Sequence, residues 1–434
     1  MARTARRARD MADDGKPPVA GVDAEIELIE QETLLDDPRD VLSAARSARG
    51  TPPPAVAYAA PGDLPDPDQP LADPDLPYWL ALNRIKGIGP ARFRLLLDAF
   101  GTAEAVWGGD MGAWQAAGLD ARTATAFEQQ RRRIVPGAEL ERLEKLRIGV
   151  VRFIDPGYPR LLREIALPPP LIYVRGRLLP EDDWAVAVVG TRRASAYGRQ
   201  VTERLAGELA QQRITIVSGL ARGIDTHAHA AALAAPGRTI AVLGCGPDLV
   251  YPPENARLAA RIVESGAIVT EFAPGTQPEA GNFPARNRLI SGLSLGVLVT
   301  ECPDDSGALI TCRFAAEQGR DVFAVPGNIF SRSHMGANRL IQDGAKLVLA
   351  AADVLEELNL HLAPQQMELA EALPENDAEA RVLAELGASG EPRHVDELVR
   401  ATALSAAAVA GTLVMLELKG LALLVGPMTY VRAR

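Results

Sequence analysis

Between residues 185 and 325 the chain alternates short apolar runs with longer amphipathic stretches. The runs are rich in β-branched residues, which is typical of strands buried on both faces. Stretches such as Gln200–Gln211 and Asn255–Glu264 have the spacing of helices. Strands separated by helices are joined by right-handed crossovers, so the pattern predicts a doubly wound, mostly parallel α/β sheet. Its predicted strands are Ala185–Val189, Thr215–Val217, Thr239–Leu243, Ile268–Thr270, Val297–Thr300 and Val322–Val325.

A helical segment precedes this region and contains the turn Gly87-Ile88-Gly89-Pro90 between two apolar stretches. Pro90 suits the first turn of the second helix. The pattern resembles a helix-hairpin-helix (SAM-like) element, whose hairpin amides bind phosphate without reading bases. The possible secondary DNA contacts are Lys86, Gly87, Gly89 and Arg92. A plain packing hairpin has the same pattern, and the sequence leaves both interpretations open.

The last 58 residues show three helical segments followed by a short hairpin, which predicts a winged helix. The predicted elements are Ala380–Leu386, Val395–Thr402, Ser405–Lys419, Leu421–Val425 and Met428–Val431. The whole chain then divides into five parts. These are a disordered acidic and proline-rich tail (1–76), a helix-hairpin-helix-like domain (77–149), a Rossmann-like core (150–352), a linker (353–376) and the winged helix (377–434).

The formal charge of −10 is unevenly distributed along the chain. Residues 1–75 carry 16 acidic and 8 basic residues, and residues 351–434 carry 13 acidic and 6 basic residues. The part between them holds slightly more basic than acidic residues. The negative total therefore does not exclude phosphate binding by the middle of the chain.

The compartment is indicated by the cysteines and by the apolar runs. Cys245, Cys302 and Cys312 fit no metal-binding spacing, and they are expected to be buried, reduced thiols. No apolar run reaches membrane length, and no apolar signal segment follows the basic residues at the start of the chain. We therefore expect a cytoplasmic protein that does not associate with a membrane.

Glycine-bearing turns with interleaved arginines follow most of the predicted strands. Such turns expose backbone N–H groups at helix starts, and arginine adds fork-shaped donors. Because ligands of doubly wound sheets bind beyond the carboxyl ends of the strands, these turns are expected to form a track for consecutive phosphates. The candidate phosphate-binding residues are Gly190, Thr191, Arg192, Arg193, Ser218, Gly219, Arg222, Gly223, Gly244, Gly246, Arg257, Arg286, Asn287, Arg288, Ser306 and Gly307.

The motifs of nucleotide cofactors and of catalysis are incomplete. Gly244-Cys245-Gly246 is only a fragment of a dinucleotide fingerprint, and no phosphate-binding P-loop motif is present. His227 and His229 diverge at helical spacing, so packing is the favoured interpretation over a metal site. Asp225 is expected to be a helix N-cap. With no nucleophile–base pair, and only a weak carboxylate cluster at Glu301, Asp304 and Asp305, we expect no catalysis, cofactor or metal.

The order of these motifs resembles the DNA-processing protein A (DprA/Smf) family over about residues 150–350. The resemblance is carried by Gly190-Thr191-Arg192, Ser218–Asp225, Ile240–Gly246 with Tyr251-Pro252, Phe283-Pro284-x-Arg286-Asn287-Arg288, Ser306-Gly307 and Ala324–Gly327. It implies a single-stranded DNA-binding homodimer that loads the RecA recombinase in natural transformation and has no enzymatic activity. Many members have lysine after the Tyr-Pro pair, whereas Pro253 stands here, so Arg257 is the expected replacement.

Two other functions remain open from the sequence. A lysine-decarboxylase-like phosphoribohydrolase would need a Pro-Gly-Gly-x-Gly-Thr signature, from which Pro326-Gly327-Asn328-Ile329 departs. A winged-helix regulator would read duplex DNA, usually through basic and amide side chains on its third helix. The segment Ser405–Lys419 has one cation, at its end, so the sequence favours the single-strand binder.

Overall fold

The computed structural model describes residues 73–360, 377–387, 392–418, 421–426 and 428–432. Most of the predicted tail, 1–76, and the second part of the predicted linker, 361–376, lie outside these residues. A nine-stranded sheet dominates the described part, in the order β1-β2-β6-β5-β4-β3-β7-β8-β9. The strands are β1 (Gly149–Arg152), β2 (Leu171–Gly176), β3 (Ala185–Val189), β4 (Thr215–Ser218), β5 (Thr239–Val242), β6 (Ala267–Thr270), β7 (Gly296–Val299), β8 (Asp321–Ala324) and β9 (Lys346–Leu347).

The predicted doubly wound sheet is confirmed, and β3 to β8 lie within one residue of their predicted bounds at each end. Across the sheet, the seven strands from β6 through β3 to β9 each run parallel to their neighbours. The sequence did not reveal β1, β2 or β9. The first two form an antiparallel pair, and β2 joins the sheet antiparallel to β6.

Alternation along each central strand sends side chains into two cores, one on each face of the sheet. Ala187 and Val189 pack into one core, whereas Val186 and Val188 pack into the other. This period of two is the geometry of a β-strand. The helices between the strands, and one after the last strand, are α7 (Arg160–Arg163), α8 (Ala196–Gln211), α9 (Ile224–Ala234), α10 (Ala256–Ser265), α11 (Asn282–Gly292), α12 (Ala308–Glu317), α13 (Met335–Gln342) and α14 (Ala351–Glu357). Both faces are therefore covered by helices.

The core extends past residue 352. Helix α14 buries Val354 against the face that carries Val186, and Leu360 is buried in the same cluster. Because both side chains are buried in this core, residues 353–360 pack as part of the α/β unit rather than as an open connection.

A helical bundle precedes the sheet. It comprises α1 (Leu76–Asn83), α2 (Pro90–Phe100), α3 (Ala103–Gly108), α4 (Met111–Ala116), α5 (Ala121–Arg131) and α6 (Pro136–Leu146). The rings of Trp114 and Phe127 stack in its core with centroids 4.1 Å apart. The same cluster includes Leu171 and Tyr173 of β2, so the bundle and the outer strands share one core.

The C-terminal elements form a separate cluster with a winged-helix order. They are α15 (Asp377–Gly387), β10 (Arg393–His394), α16 (Val395–Thr402), α17 (Ala406–Leu418), β11 (Ala422–Gly426) and β12 (Thr429–Arg432). The prediction missed β10, which pairs with β12 in a three-stranded sheet ordered β10-β12-β11. Within the described ranges no single helix is long and apolar enough to cross a membrane, and one bent pair, Val395–Thr402 with Ala406–Glu417, passes by length and composition together.

Candidate nucleic-acid interface

The loops that follow β3, β4 and β7 are bonded to one another at the carboxyl edge of the parallel strands. The amide of Ile224 donates to the carbonyl oxygen of Thr191 at 3.1 Å, and the amide of Thr191 donates to the carbonyl oxygen of Glu301 at 2.8 Å. Strand order reverses between β3 and β7, and crevices at such switch points bind ligands in open α/β sheets. The predicted convergence of the glycine turns is therefore present.

Two glycines of this edge are required by close packing. A Cβ on Gly219 would lie 2.1 Å from a guanidinium nitrogen of Arg286. Gly223 has a φ of +75°, and its Cβ would lie 2.3 Å from the carbonyl oxygen of Thr191. Both loops approach their neighbours more closely than any side chain would permit.

Arg286 lies inside the protein rather than on the surface, with 4% of its area exposed. Its Nη1 donates to the carbonyl oxygens of Gly219, at 2.7 Å, and Val242, at 2.5 Å. Burial lowers the pKa of Arg286 to about 10, and the nearby Asp225 opposes that shift. This side chain joins the ends of β4 and β5, so its guanidinium acts first as an internal brace.

The prediction that Asp225 caps a helix was wrong. Helix α9 begins one residue earlier, at Ile224, and Gly223 occupies the N-cap position. The buried Asp225 carboxylate instead accepts hydrogen bonds from the amides of Gly219, at 3.1 Å, and Ala221, at 3.3 Å. Burial raises its pKa, and Arg286 opposes this. Asp225 thus folds the preceding loop back over the start of its own helix.

Arg288 and Asn287 also make internal contacts. Arg288 donates to the carbonyl oxygen of Leu167 at 2.5 Å and forms an ion pair with Glu271, and both charged side chains are mostly buried. The amide of Asn287 donates to the carbonyl oxygen of Gly307 at 3.3 Å, which ties α11 to the loop after β7. The arginine-rich segment on α11 therefore connects the surrounding loops through buried contacts.

Four predicted cations remain at the surface: Arg192, Arg193, Arg222 and Arg257 are all exposed. Arg222 forms an ion pair with Glu254, and both side chains are about half exposed. Such an exposed pair contributes little energy in water. Arg257 lies in the first turn of α10, at the position expected to compensate for Pro253.

Phe283 lies beside one of these cations, Arg192, although it was not among the phosphate-binding residues predicted from the sequence. The guanidinium carbon of Arg192 is 5.4 Å from the centre of its ring, and the ring of Tyr251 is 5.8 Å away. Gly244 supports the ring from the end of β5, because a Cβ there would lie 3.1 Å from Phe283 Cδ1. Phe283 stands in a Phe-Pro motif and Tyr251 in a Tyr-Pro motif. An aromatic residue close to an arginine-bearing segment was therefore the sequence feature that could have pointed to Phe283.

The other predicted strand-end residues lie in the loops but use their polar groups internally. Ser218 is buried and donates its hydroxyl to the carbonyl oxygen of Val188 at 2.7 Å. The amide of Gly246 donates to the carbonyl oxygen of Thr276 at 2.9 Å. A Cβ on Gly190 would lie 2.6 Å from the carbonyl oxygen of Glu301, whereas nothing lies within 4 Å of one on Gly307. Ser306 accepts a hydrogen bond from the amide of Ala308 at 3.3 Å.

The residues of the predicted hairpin form a local unit in the helical bundle. Gln130 closes the turn by accepting from the amide of Lys86, at 2.9 Å, and donating to its carbonyl oxygen. Arg92 donates to the carbonyl oxygen of Gly87 at 3.2 Å and pairs with Asp120 at 3.4 Å. Gly89 precedes α2 at its N-cap. Each of these contacts lies within the helical bundle, so the hairpin is built independently of the strand-end loops.

The histidines and cysteines occupy separate environments. His227 contacts Glu203 at 2.8 Å on the surface, whereas the buried His229 contacts the Thr239 hydroxyl at 2.6 Å. Burial lowers the pKa of His229 to about 3. In the described part of the chain, no group of three histidine, cysteine or acidic side chains is placed to hold a metal ion. The three cysteines are free and buried, as expected.

Comparison with known proteins identifies the family. The family model described as DNA recombination-mediator protein A matches residues 149–359, and a DprA winged helix domain matches residues 365–424. Protein Smf of Synechocystis sp. is 36% identical over 387 residues, which cover 81% of this chain and 97% of that protein. The DNA processing protein DprA of Streptococcus pneumoniae is 48% identical over 204 residues, 47% of this chain and 72% of its own length. The X-ray structure of DprA from Streptococcus pneumoniae has a TM-score of 0.57 at 37% identity and covers 65% of this chain and 97% of that one. The chain therefore belongs to the DNA-processing protein A (DprA/Smf) family of recombination mediators.

Proposed function

We propose that this protein binds single-stranded DNA across the carboxyl edge of its parallel strands and passes it to the RecA recombinase. The observation that carries the proposal is the placement of exposed Arg192 and Arg222 beside Phe283 and Tyr251. Single-strand binders combine cations that follow the phosphates with aromatic rings on which bases stack. Stacking requires unpaired bases, so this arrangement favours single strands over duplexes.

The sixteen predicted residues then have two kinds of role. Arg192, Arg193, Arg222 and Arg257 contact phosphates, because their guanidinium groups reach solvent. Arg286 and the residues beside it position the loops from below. Lys86 and the hairpin amides provide a second, weaker contact for a strand that extends onto the helical bundle.

A homodimer is the proposed assembly, formed through the edge strand β9. Leu347 on β9 and Leu349 just after it are exposed, and the loop after β8 exposes Ile329 and Phe330, the last with 92% of its area. An unpaired strand edge with apolar side chains favours pairing with another copy. RecA and the DNA would meet in the cytoplasm, where buried cysteines stay reduced.

The site is proposed to hold DNA without catalysis. Glu301, at the end of β7, is fully buried, and its carboxylate accepts a hydrogen bond from the Ser195 amide at 2.8 Å. A phosphoribohydrolase would need a carboxylate that reaches its substrate. Incubation with nucleoside monophosphates should therefore release no free base above background.

The proposal is tested by fluorescence anisotropy with labelled oligonucleotides at two salt concentrations. The full chain should bind a single strand more tightly than the duplex of the same sequence. Its affinity should fall as salt rises, because each phosphate contact releases counterions. Equal or tighter binding of the duplex would contradict the proposal and favour a winged-helix regulator.

A further inference from the structure

Glu301 fastens both ends of the loop that carries Arg192 and Arg193. Its carbonyl oxygen accepts from the Thr191 amide at 2.8 Å, where the loop begins. Its carboxylate oxygen Oε2 accepts from the Ser195 amide at 2.8 Å, where the loop ends at the N-cap of α8. One residue at the end of β7 thus fixes the segment 191–195 at both ends.

The carboxylate is held in place by the shape of α8. Gly198 lies in the first turn of this helix, and a Cβ there would lie 1.9 Å from Glu301 Oε2. No side chain fits in that space, so glycine permits the carboxylate to reach the Ser195 amide. Gly207, in the same helix, has no atom within 4 Å of an added Cβ.

The second carboxylate oxygen faces the segment that leads to the edge of the sheet. Oε1 of Glu301 is buried without a hydrogen-bond partner and lies 4.0 Å from His334 Nε2. The ring of Tyr197 packs edge-on against His334 at 5.3 Å, and its hydroxyl donates to the carbonyl oxygen of Pro326 at 2.9 Å. The carboxylate therefore lies between the loop and the segment 326–334.

We infer that Glu301 is a positioning residue, which holds the loop so that Arg192 reaches the phosphates. The inference rests on the proposed function, because it concerns the same DNA site. A rigid anchor lowers the entropy that the loop loses on binding, which is the general benefit of preorganisation. Glu301 itself is buried, so in this proposal it does not contact the DNA.

The test compares Gly198→Ala and Glu301→Gln with Gly207→Ala, using the full chain and a labelled oligothymidine. Gly198→Ala displaces the carboxylate and should weaken binding about three- to tenfold, the equivalent of one hydrogen bond. Glu301→Gln keeps the shape but removes the charge, and it should weaken binding about twofold or more. Gly207→Ala should bind as the wild type does.

The decisive measurement repeats Gly198→Ala and Glu301→Gln in a protein that also carries Arg192→Ala. If Glu301 acts by placing Arg192, its substitution should have little further effect there, whereas a general loss of structure would add to the effect of Arg192→Ala. Additive losses, or unchanged affinity in Glu301→Gln, overturn the inference. If Gly198→Ala does not fold, Glu301→Gln alone decides.

A second readout does not depend on DNA. Trypsin should cleave after Arg192 and Arg193 faster in Glu301→Gln than in the wild type, because the loop is released at its Ser195 end. Equal cleavage rates would overturn the inference even where DNA binding is normal. A wild-type protein that fails to bind single strands would instead refute the proposed function, and the proteolysis result would still report on the anchor.

Discussion

Arg192 and Arg286 both lie near the Phe283 ring, and replacing them should separate DNA affinity from protein stability. Arg192 is exposed, and in the described part of the chain it makes no salt bridge. Its guanidinium contacts the ring at 5.4 Å, an exposed cation–π contact worth about 0.5–1 kcal/mol. Arg192→Ala should therefore lower the free energy of unfolding by no more than about 1 kcal/mol.

The same change should cost much more in binding. A charge-assisted hydrogen bond to phosphate contributes about 1.5–3 kcal/mol, which corresponds to a roughly 10- to 150-fold loss of affinity. The dependence of the logarithm of affinity on the logarithm of salt should become shallower by about 0.7, because the variant neutralises one phosphate fewer. The loss of affinity should be similar for oligonucleotides of different sequence.

Arg286→Met, in contrast, should mainly lower the free energy of unfolding. It leaves the carbonyl oxygens of Gly219 and Val242 without their donor, and it leaves the buried Asp225 without its cation. A buried acceptor left without its donor costs about 1–3 kcal/mol, so losing both bonds removes a large part of the stability of a typical domain. Urea unfolding should show this loss directly.

Both variants are measured by fluorescence anisotropy and by urea unfolding beside Arg204→Ala. Arg204 is an exposed arginine on α8 that pairs with Glu208, so its replacement removes the same charge away from the loops. Unchanged affinity and salt dependence in Arg192→Ala would refute the phosphate contact. Wild-type stability in Arg286→Met would refute the brace.

Three further predictions concern the ring, the buried histidine and the strand edge. Phe283→Ala should weaken binding of a normal single strand by about 1–3 kcal/mol but leave binding of an abasic strand unchanged; an equal loss for both strands would exclude stacking. Because burial lowers the pKa of His229 to about 3, its contribution to stability is complete above the unfolded pKa of about 6.5 and falls as pH decreases. Between pH 7 and pH 5 the wild type should lose about 2 kcal/mol relative to His229→Asn in urea unfolding, and equal losses in the two proteins would contradict this reasoning. Leu349→Asp should convert a dimer to a monomer in light scattering, and Ile154→Asp, at another exposed apolar site, should not; a dimer in both would place the interface elsewhere.

The central sheet could be predicted because each of its strands is visible as a short apolar run in the local sequence. Val186 to Val189 and the matching runs are apolar on both faces, and only a strand covered by helices buries both. The antiparallel strands β1 and β2 also contain short apolar runs, but no helix of regular length separates them from the next strand. Their burial depends on the helical bundle, which packs on Leu171 and Tyr173, and a local pattern does not contain that neighbour.

The sequence by itself determined the doubly wound sheet, the convergence of glycine turns at one edge and the family. Only the tertiary structure decided which arginines reach solvent. Arg192 and Arg286 were both predicted to bind phosphate, but Arg286, on α11, donates to the carbonyl oxygens of Gly219 and Val242, whereas Arg192 is exposed. The reason is that a charged side chain is buried only where acceptors from elsewhere in the chain surround it, and spacing along the sequence does not show which acceptors those are.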